Sequence, residues 1–397
     1  MSQLKVLLND GLEPVGLALL HAAGIETDTS KRDLPALIGD IGKFDALIVR
    51  SATKVTKEVI DAGAKGKLKI VGRAGVGYDN IDLISASKNG IVVKSAPYGN
   101  TNAVAELTLA LMLNVARNLP QANQSLKSGV WKKATLRGTE LSFKTLGILG
   151  CGKIGQRVAD LARRGFDMEV IGYDINPCLE SNIKFLPKEE VLTKADFVSI
   201  HTGGKKIIVS EDELSLMKKT AFLINTSRGE NMDEKALYKV LKAGLIAGAA
   251  LDVYVNEPKL EGSKFTNKLM ELDNVIFSSH LGASTVEAQR ETSIEIARVV
   301  ASYLRGGDFA NSVNAGESIE LEQRPVYPLF IHHRDVPGVF ANIDKVLADN
   351  DINIRANYSR QIGNNGYAIS VYVVHKKVPT KIIETLKRIT NICSVKT

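Results

Sequence analysis

One stretch of about thirty residues limits the chain's possible folds more than any other. Thr145-Leu-Gly-Ile-Leu is a short apolar run that feeds the turn Gly150-Cys-Gly-Lys-Ile-Gly155. An amphipathic run continues to Phe166, and Glu169-Val-Ile-Gly-Tyr-Asp174 follows. Apolar run, glycine-rich turn, helical spacing and a second β-rich run make a βαβ unit. Gly150, Gly152 and Gly155 let the backbone turn tightly, approach a pyrophosphate and seat the helix on the strand. Lys153 and Ile154 open that helix, whose N-terminus offers N–H groups to an anion. Asp174 stands 19 positions beyond Gly155. A carboxylate there can hold the adenosine ribose 2′-OH of NAD and repel the 2′-phosphate of NADP. The unit as a whole predicts a dinucleotide site.

The remaining sequence bounds the rest. At 397 residues the chain has room for two or three domains with sizeable cores. No apolar run reaches the length of a membrane span, and Met-Ser-Gln-Leu-Lys leads into a strand-like run without a signal-peptide pattern. A cytoplasmic protein is expected. Cys151, Cys178 and Cys393 are odd in number and scattered, which fits a reducing compartment without a disulfide framework. Cys151 in the glycine loop reads as a small packed residue, with a redox-sensitive thiol as the alternative. The formal charge is +7, but the bases are dispersed and no nucleic-acid recognition motif occurs. They form a solvated surface, or some of them receive an anionic substrate. Neither nucleic acid, membrane nor metal is expected as a partner.

Along the chain, Leu4–Leu8, Ala46–Arg50, Lys69–Arg73 and Ile91–Ser95 read as strands, separated by helical stretches such as Val15–Ala23, Thr56–Ala62 and Leu83–Lys88. This alternation predicts a helix-covered parallel sheet. The helix pattern Asn102–Asn118 crosses into a second unit, where the βαβ stretch is followed by strands Phe197–His201, Ala221–Asn225, Ala247–Val253 and Asn274–Ser278. A strong helix, Thr285–Leu304, then stops at Gly306-Gly307, and polar Asn311–Gln323 reads as a linker. From about Arg324 the order is strand Val326–Ile331, helix Gly338–Asn350, strand Ile352–Gln361, hairpin turn Gly363–Gly366, strand Tyr367–Val374, helix Thr380–Ile389 and a short last strand. That is the βαββαβ, ferredoxin-like order.

Ligands of open α/β sheets gather beyond the carboxyl ends of the strands. Three successive strands end in Asn225-Thr-Ser-Arg228, Asp252-Val-Tyr-Val-Asn-Glu257 and Ser278-Ser-His280. Singly, each residue has a bland reading: a surface ion pair, a loop charge, a satisfied histidine. Together, beside a nicotinamide, they cover the needs of hydride exchange with a 2-oxo acid. Histidine moves a proton near neutral pH. A carboxylate fixes its tautomer and raises its pKa. Arginine grips a carboxylate by two bonds and polarises a carbonyl. The first unit adds Arg50-Ser51, Arg73-Ala-Gly75-Val76-Gly77 and Asn100 at its own strand ends. Gly75 to Gly77 could form a backbone nest for a carboxylate. Arg50 and Arg73 suit a second, remote anion such as a phosphate, or else pair on the surface.

Val49-Arg-Ser-Ala-Thr-Lys-Val, Val71–Asp82, Gly147–Gly155, Thr226-Ser-Arg-Gly, Gly248–Val253 and His280-Leu-Gly-Ala-Ser-Thr together resemble the D-2-hydroxyacid dehydrogenase family. Nearly the whole chain resembles its phosphoglycerate dehydrogenase branch. The resemblance implies two Rossmann-like, doubly wound parallel-sheet domains with the substrate cleft between them. Residues 1–101 and 285–310 would form a discontinuous substrate-binding domain and 102–284 the NAD-binding domain. A linker at 311–323 and a ferredoxin-like α+β ACT domain at 324–397 would follow. It also implies Arg228 as the substrate-orienting residue, His280 as acid/base and Glu257 as its partner. Thr202, Thr226, Ser227, Asp252 and Gly282 would join the glycine loop and Asp174 at the coenzyme. Arg50, Ser51, Arg73, Gly75, Val76 and Asn100 would face 3-phosphoglycerate or 3-phosphohydroxypyruvate. A homodimer joined through the nucleotide domain, or a homotetramer, is implied. Hydroxypyruvate or glyoxylate reductases use the same machinery, and NAD-sensing corepressors share the fold.

In serine-regulated relatives the positions of His333, Asp335 and Asn353 bind L-serine across a domain pair. Here Asp335 replaces an asparagine, and its carboxylate would accept from the ligand's ammonium but repel its carboxylate. The effector therefore stays open. A second departure is Gly203-Gly-Lys-Lys after His201-Thr202, a shortened loop that in the family lies by the adenosine half of the coenzyme.

Overall fold

A computed structural model describes residues 3–178, 181–258, 262–308, 311–314, 327–361 and 366–397. Most of the expected linker, the start of the expected strand at Val326 and the hairpin residues 363–365 lie outside these. The chain forms two compact units, Met1–Gly99 with Arg290–Thr397, and Asn100–Gln289.

In the first unit, strands β1 (Lys5–Leu8), β2 (Glu26–Asp28), β3 (Ala46–Val49), β4 (Ile70–Arg73) and β5 (Val92–Ser95) form a parallel sheet of order β2-β1-β3-β4-β5. Its central strands are covered on both faces, so their sequences are continuous apolar runs rather than alternating ones. The expected late helix spans Val286–Gly306, and Ile296, Ala297, Val299 and Val300 share one core with Val6, Ile48, Ile70 and Val92. Gly72 is required there, because an added Cβ would come 2.8 Å from Val300 Cγ2.

The other unit carries β6 (Thr145–Leu149), β7 (Glu169–Tyr173), β8 (Lys184–Phe185), β9 (Phe197–Ile200), β10 (Phe222–Asn225), β11 (Gly248–Leu251) and β12 (Val275–Phe277). These seven strands make a parallel sheet of order β12-β11-β10-β9-β6-β7-β8, a doubly wound arrangement whose order reverses at β6. Helix Thr101–Arg117 buries Ala105, Leu111, Met112 and Val115 in the core under this sheet. The sequence reading omitted the edge strands β2 and β8 and the helices Leu34–Asp40 and Leu119–Lys127.

The C-terminal strands β13 (Tyr327–Arg334), β14 (Ile354–Gln361), β15 (Tyr367–Val374) and β16 (Ile392–Lys396) form an antiparallel sheet of order β14-β15-β13-β16, the ferredoxin-like order. Alternation along β13 divides its residues between two cores. Leu329 and Ile331 pack with Ile343 and Leu386 of the sheet's own helices, whereas Phe330 joins Val371 and Val373 in the core of the first unit. A piece too small to be well stabilised by one core thus borrows a second from its own unit.

Candidate active site

Strand β6 delivers the chain into the glycine turn. Gly150 has φ +95°, and its backbone lies against the next loop, where an added Cβ would come 2.7 Å from the His201 carbonyl carbon. At Gly155 an added Cβ would stand 2.2 Å from the Gly150 carbonyl oxygen, so glycine is what allows the helix Lys153–Phe166 to sit on its strand. At Gly152, by contrast, nothing lies within 4 Å, and no side chain caps the helix there. Open space meeting an uncapped helix start is what an approaching pyrophosphate needs. Beside it, Thr202 Oγ1 and His201 Nδ1 are buried without a hydrogen-bond partner. Buried polar atoms left unmade are costly, which points to a ligand that completes them. Burial also holds His201 neutral, with its pKa lowered to about 4.

Asp174 ends β7 at the edge of this turn. Its Oδ2 accepts from Cys151 N at 2.7 Å and its Oδ1 from Asn176 N at 2.8 Å. The carboxylate is therefore fixed in place, with lone pairs remaining for a ribose hydroxyl. Cys151 is buried, packs its sulfur where Gly172 has no side chain, and has its thiol pushed up to about 12 by burial. Its burial and its seat against Gly172 favour the packed reading of this cysteine.

His280, Glu257 and Arg228 occupy the ends of β12, β11 and β10. His280 Nδ1 donates to Glu257 Oε2 at 2.8 Å, and no described residue bonds Nε2. That hydrogen bond raises the His280 pKa above its usual value, against burial, which lowers it. Burial alone would raise the Glu257 carboxyl. The His280 bond, the His280 charge and the bond from Tyr254 N more than offset it, so Glu257 stays ionised. The Arg228 charge acts on both residues. Gly229 brings that arginine close, since its Cα lies so tightly on the Tyr254 backbone that an added Cβ would sit 2.0 Å from the Tyr254 carbonyl carbon.

His280 has φ +55°, an uncommon conformation for a residue with a side chain. Asp252 holds it there. The Asp252 carbonyl accepts from His280 N at 2.8 Å, and its carboxylate accepts from Leu281 N, Gly282 N and Ser278 Oγ at 2.8, 3.0 and 2.6 Å. Asp252 and Gly282, expected at the coenzyme, are thus bonded to each other and shape the His280 turn. Ser227 is likewise engaged inward, its hydroxyl 2.9 Å from Asn225 Oδ1 and its carbonyl accepting from Arg228 Nη1 at 2.7 Å. Thr226 pairs with Thr108, 3.0 Å between hydroxyls. Each of these residues is bonded within the rim itself. The sequence reading missed Tyr254, whose hydroxyl stands 2.8 Å from both the Leu251 and Ser278 carbonyls, and Asn225 and Asn231, which brace the Arg228 turn.

Of the expected substrate residues, Arg50 follows β3 in a loop pinned by Asp10, whose Oδ2 accepts from Arg50 N at 2.7 Å and from Thr53 N at 3.0 Å. Ser51 is exposed and Val76 half-buried in the same unit. Arg73 Nη1 donates to the Ala74 carbonyl, and its guanidinium crosses Gly75, which has φ +146°. Gly75 N donates to the Arg73 carbonyl, so the expected nest does not form with this N–H. Asn100 opens the other unit, its Oδ1 buried without a partner. In the C-terminal sheet, His333 is fully buried with both ring nitrogens engaged, and Asp335 Oδ2 accepts from Gln361 Nε2. Asn353 is exposed just before β14. Among the described residues no group of three or more metal-ligating side chains occurs, and no helix is long and apolar enough to cross a membrane.

Residues 109–282 match the family described as D-isomer specific 2-hydroxyacid dehydrogenase, NAD binding domain, and residues 329–391 match the ACT domain. A D-3-phosphoglycerate dehydrogenase of Methanocaldococcus jannaschii is 42% identical over 330 residues, covering 78% of this chain and 59% of the relative. The Homo sapiens D-3-phosphoglycerate dehydrogenase is 40% identical over 320 residues, covering 78% and 58%. The chain thus spans less than two thirds of the length of these curated relatives. Among solved structures, an acyclic imino acid reductase in complex with NADPH and D-Arg superposes with a TM-score of 0.69 at 31% identity, covering 78% of this chain and 99% of the other. The TT0316 protein of Thermus thermophilus gives 0.69 at 32%, covering 78% and 100%. A glyoxylate reductase from Paecilomyes thermophila gives 0.71 at 28%, covering 79% and 99%.

Proposed function

The chain belongs to the D-isomer specific 2-hydroxyacid dehydrogenase family, and from that premise we propose that it interconverts 3-phosphoglycerate and 3-phosphohydroxypyruvate with NAD, the entry to serine synthesis. The observation that carries the proposal is the His280–Glu257 bond of 2.8 Å beside Arg228, on the sheet that also carries the glycine turn. The bound coenzyme supplies the hydride donor or acceptor. His280, held protonated by Glu257, gives its Nε2 proton to the carbonyl oxygen in reduction and takes it back in oxidation. Glu257 fixes the tautomer by accepting from Nδ1. Arg228 grips the substrate carboxylate and stabilises charge growing on the carbonyl.

Arg50, Ser51, Arg73, Val76 and Asn100 are assigned to the substrate, the two arginines to its phosphate. Gly150, Gly152, Lys153, Ile154, Gly155, Asp174 and Thr202 are assigned to the coenzyme, with Asp252, Gly282, Thr226 and Ser227 behind them. The division into a discontinuous substrate domain, a nucleotide domain and an ACT domain is part of this reading. So is a homodimer through the nucleotide domain, supported by Trp131 and Phe143, 79% and 84% exposed in one segment of it. A cytoplasmic location belongs to the same reading, supported by the three free cysteines. A small amino acid such as L-serine is assigned to the ACT domain near Asp335 and Asn353, with His333 behind them.

The glyoxylate reductase likeness favours a second reading, reduction of unphosphorylated 2-oxo acids. The two are separated by NADH oxidation on 3-phosphohydroxypyruvate and on hydroxypyruvate, with wild type and Arg50→Ala. Preference for the phosphorylated acid, lost in the variant, supports the first reading. Equal turnover of both acids removes it.

A further inference from the structure

The loop Gly203–Ile208 is exposed through Ile207 and contains two adjacent glycines with nothing within 4 Å of an added Cβ. It borders the unpartnered Thr202 hydroxyl, yet has little packing of its own. Asn231 ties it down at several points. Asn231 is 0% exposed; its Nδ2 donates to the Gly204 carbonyl at 3.0 Å and to the Lys206 carbonyl at 2.9 Å. Its own carbonyl accepts from Ile208 N and Val209 N at 2.8 and 3.1 Å. In the other direction, Asn231 Oδ1 accepts from Ser227 Oγ at 3.0 Å and Asn231 N donates to the Arg228 carbonyl at 3.2 Å. At the surface, Lys205 Nζ and Glu230 Oε1, 3.0 Å apart, repeat the stitch. Both donors and the acceptor of the side-chain amide are spent on joining two segments.

We propose that Asn231 is a positioning residue that couples coenzyme binding to substrate binding, by tying loop Gly203–Ile208 to the turn that carries Arg228. This deepens the dehydrogenase reading and rests on it. A pliant loop beside the coenzyme must be ordered when the coenzyme binds. Through Asn231 the same ordering fixes Ser227 and Arg228, so whichever ligand binds first has already ordered the site for the second. Each then raises the other's affinity by the same factor. A residue that only packed the core would lower stability and weaken both ligands without changing that factor.

The test uses the full chain. NADH binding is titrated by its fluorescence, alone and with saturating 3-phosphoglycerate, which cannot react with the reduced coenzyme. Wild type should bind NADH about tenfold more tightly in the presence of the acid. In Asn231→Leu, which keeps the volume but donates nothing, the factor should fall to near one, while NADH affinity without the acid changes only a few-fold. Lys205→Met, which removes the surface ion pair with Glu230, should lower the factor by about half. Should Asn231→Leu fail to fold, Asn231→Asp decides, since it keeps the shape and loses both donated bonds. A variant that retains the wild-type factor overturns the proposal, as does a wild type that turns over yet shows no factor. A wild type that neither binds NADH nor turns over would fell the dehydrogenase reading itself, which keeps the two failures distinct.

Discussion

Two histidines that the sequence marks for function end in opposite situations. His280 donates one ring nitrogen to a carboxylate, leaves the other open, and its side chain is 51% exposed in a strained turn. His333 is fully buried between two neutral oxygens, the Arg334 carbonyl at 2.7 Å and Ser370 Oγ at 2.8 Å. The Arg334 carbonyl can only accept, so Nδ1 carries the proton, and the Ser370 hydroxyl takes up the other nitrogen. A saturated histidine rigidifies a core. A histidine with one nitrogen steered and one open, beside an ionised glutamate, is equipped to exchange a proton.

The sharpest way to break this contrast is paired substitution. His280→Asn should lower kcat for reduction of 3-phosphohydroxypyruvate by about 10²–10⁴-fold. His333→Ala should leave kcat nearly intact and instead cost about 1–3 kcal/mol of stability, seen as a lower denaturation midpoint of the full chain. Reversed effects would exchange the two roles. A smaller effect is expected at the partner carboxylate. Glu257→Gln removes the group that raises the His280 pKa, so the fall in reduction rate with rising pH should move to lower pH. An unmoved limb would show that Glu257 does not steer His280.

Asp174→Ala should relax discrimination against NADP by about tenfold, because the fixed carboxylate no longer meets the 2′-phosphate. Relatives solved with NADPH or NADP make this comparison informative. An unchanged coenzyme preference would remove Asp174 from selectivity. Smallest of all is a labelling difference between cysteines. Iodoacetamide should modify exposed Cys393 of the C-terminal sheet and spare Cys151, whose thiol is pushed up to about 12. Equal labelling would contradict the packed reading of the glycine loop.

Much of this was legible in the sequence because buried parallel strands such as Val6-Leu-Leu and Ala46-Leu-Ile-Val write themselves as unbroken apolar runs. Glycines 150 and 155 announced their turn for the reasons their neighbours now show. Strand β2, Glu26-Thr-Asp, and the two-residue β8 were illegible, since short polar edge strands carry no pattern. At the site, position on the rim could be read but direction could not. Asp252, Ser227 and Gly75 stand at strand ends, but Ser227 and Gly75 bond within their own loops and Asp252 bonds the turn that carries His280. The braces Asp10 and Asn231 escaped notice because they bond residues 40 and 27 positions away, where no spacing rule operates.

The central claim, that His280 moves the proton of a hydride exchange, is tested most directly by pH profiles of kcat/KM in both directions, for wild type and His280→Asn. The raised pKa means that reduction should fall, and oxidation rise, as pH passes through a value above 6.5, with both limbs absent from the variant. Limbs that survive unchanged in His280→Asn would contradict the account.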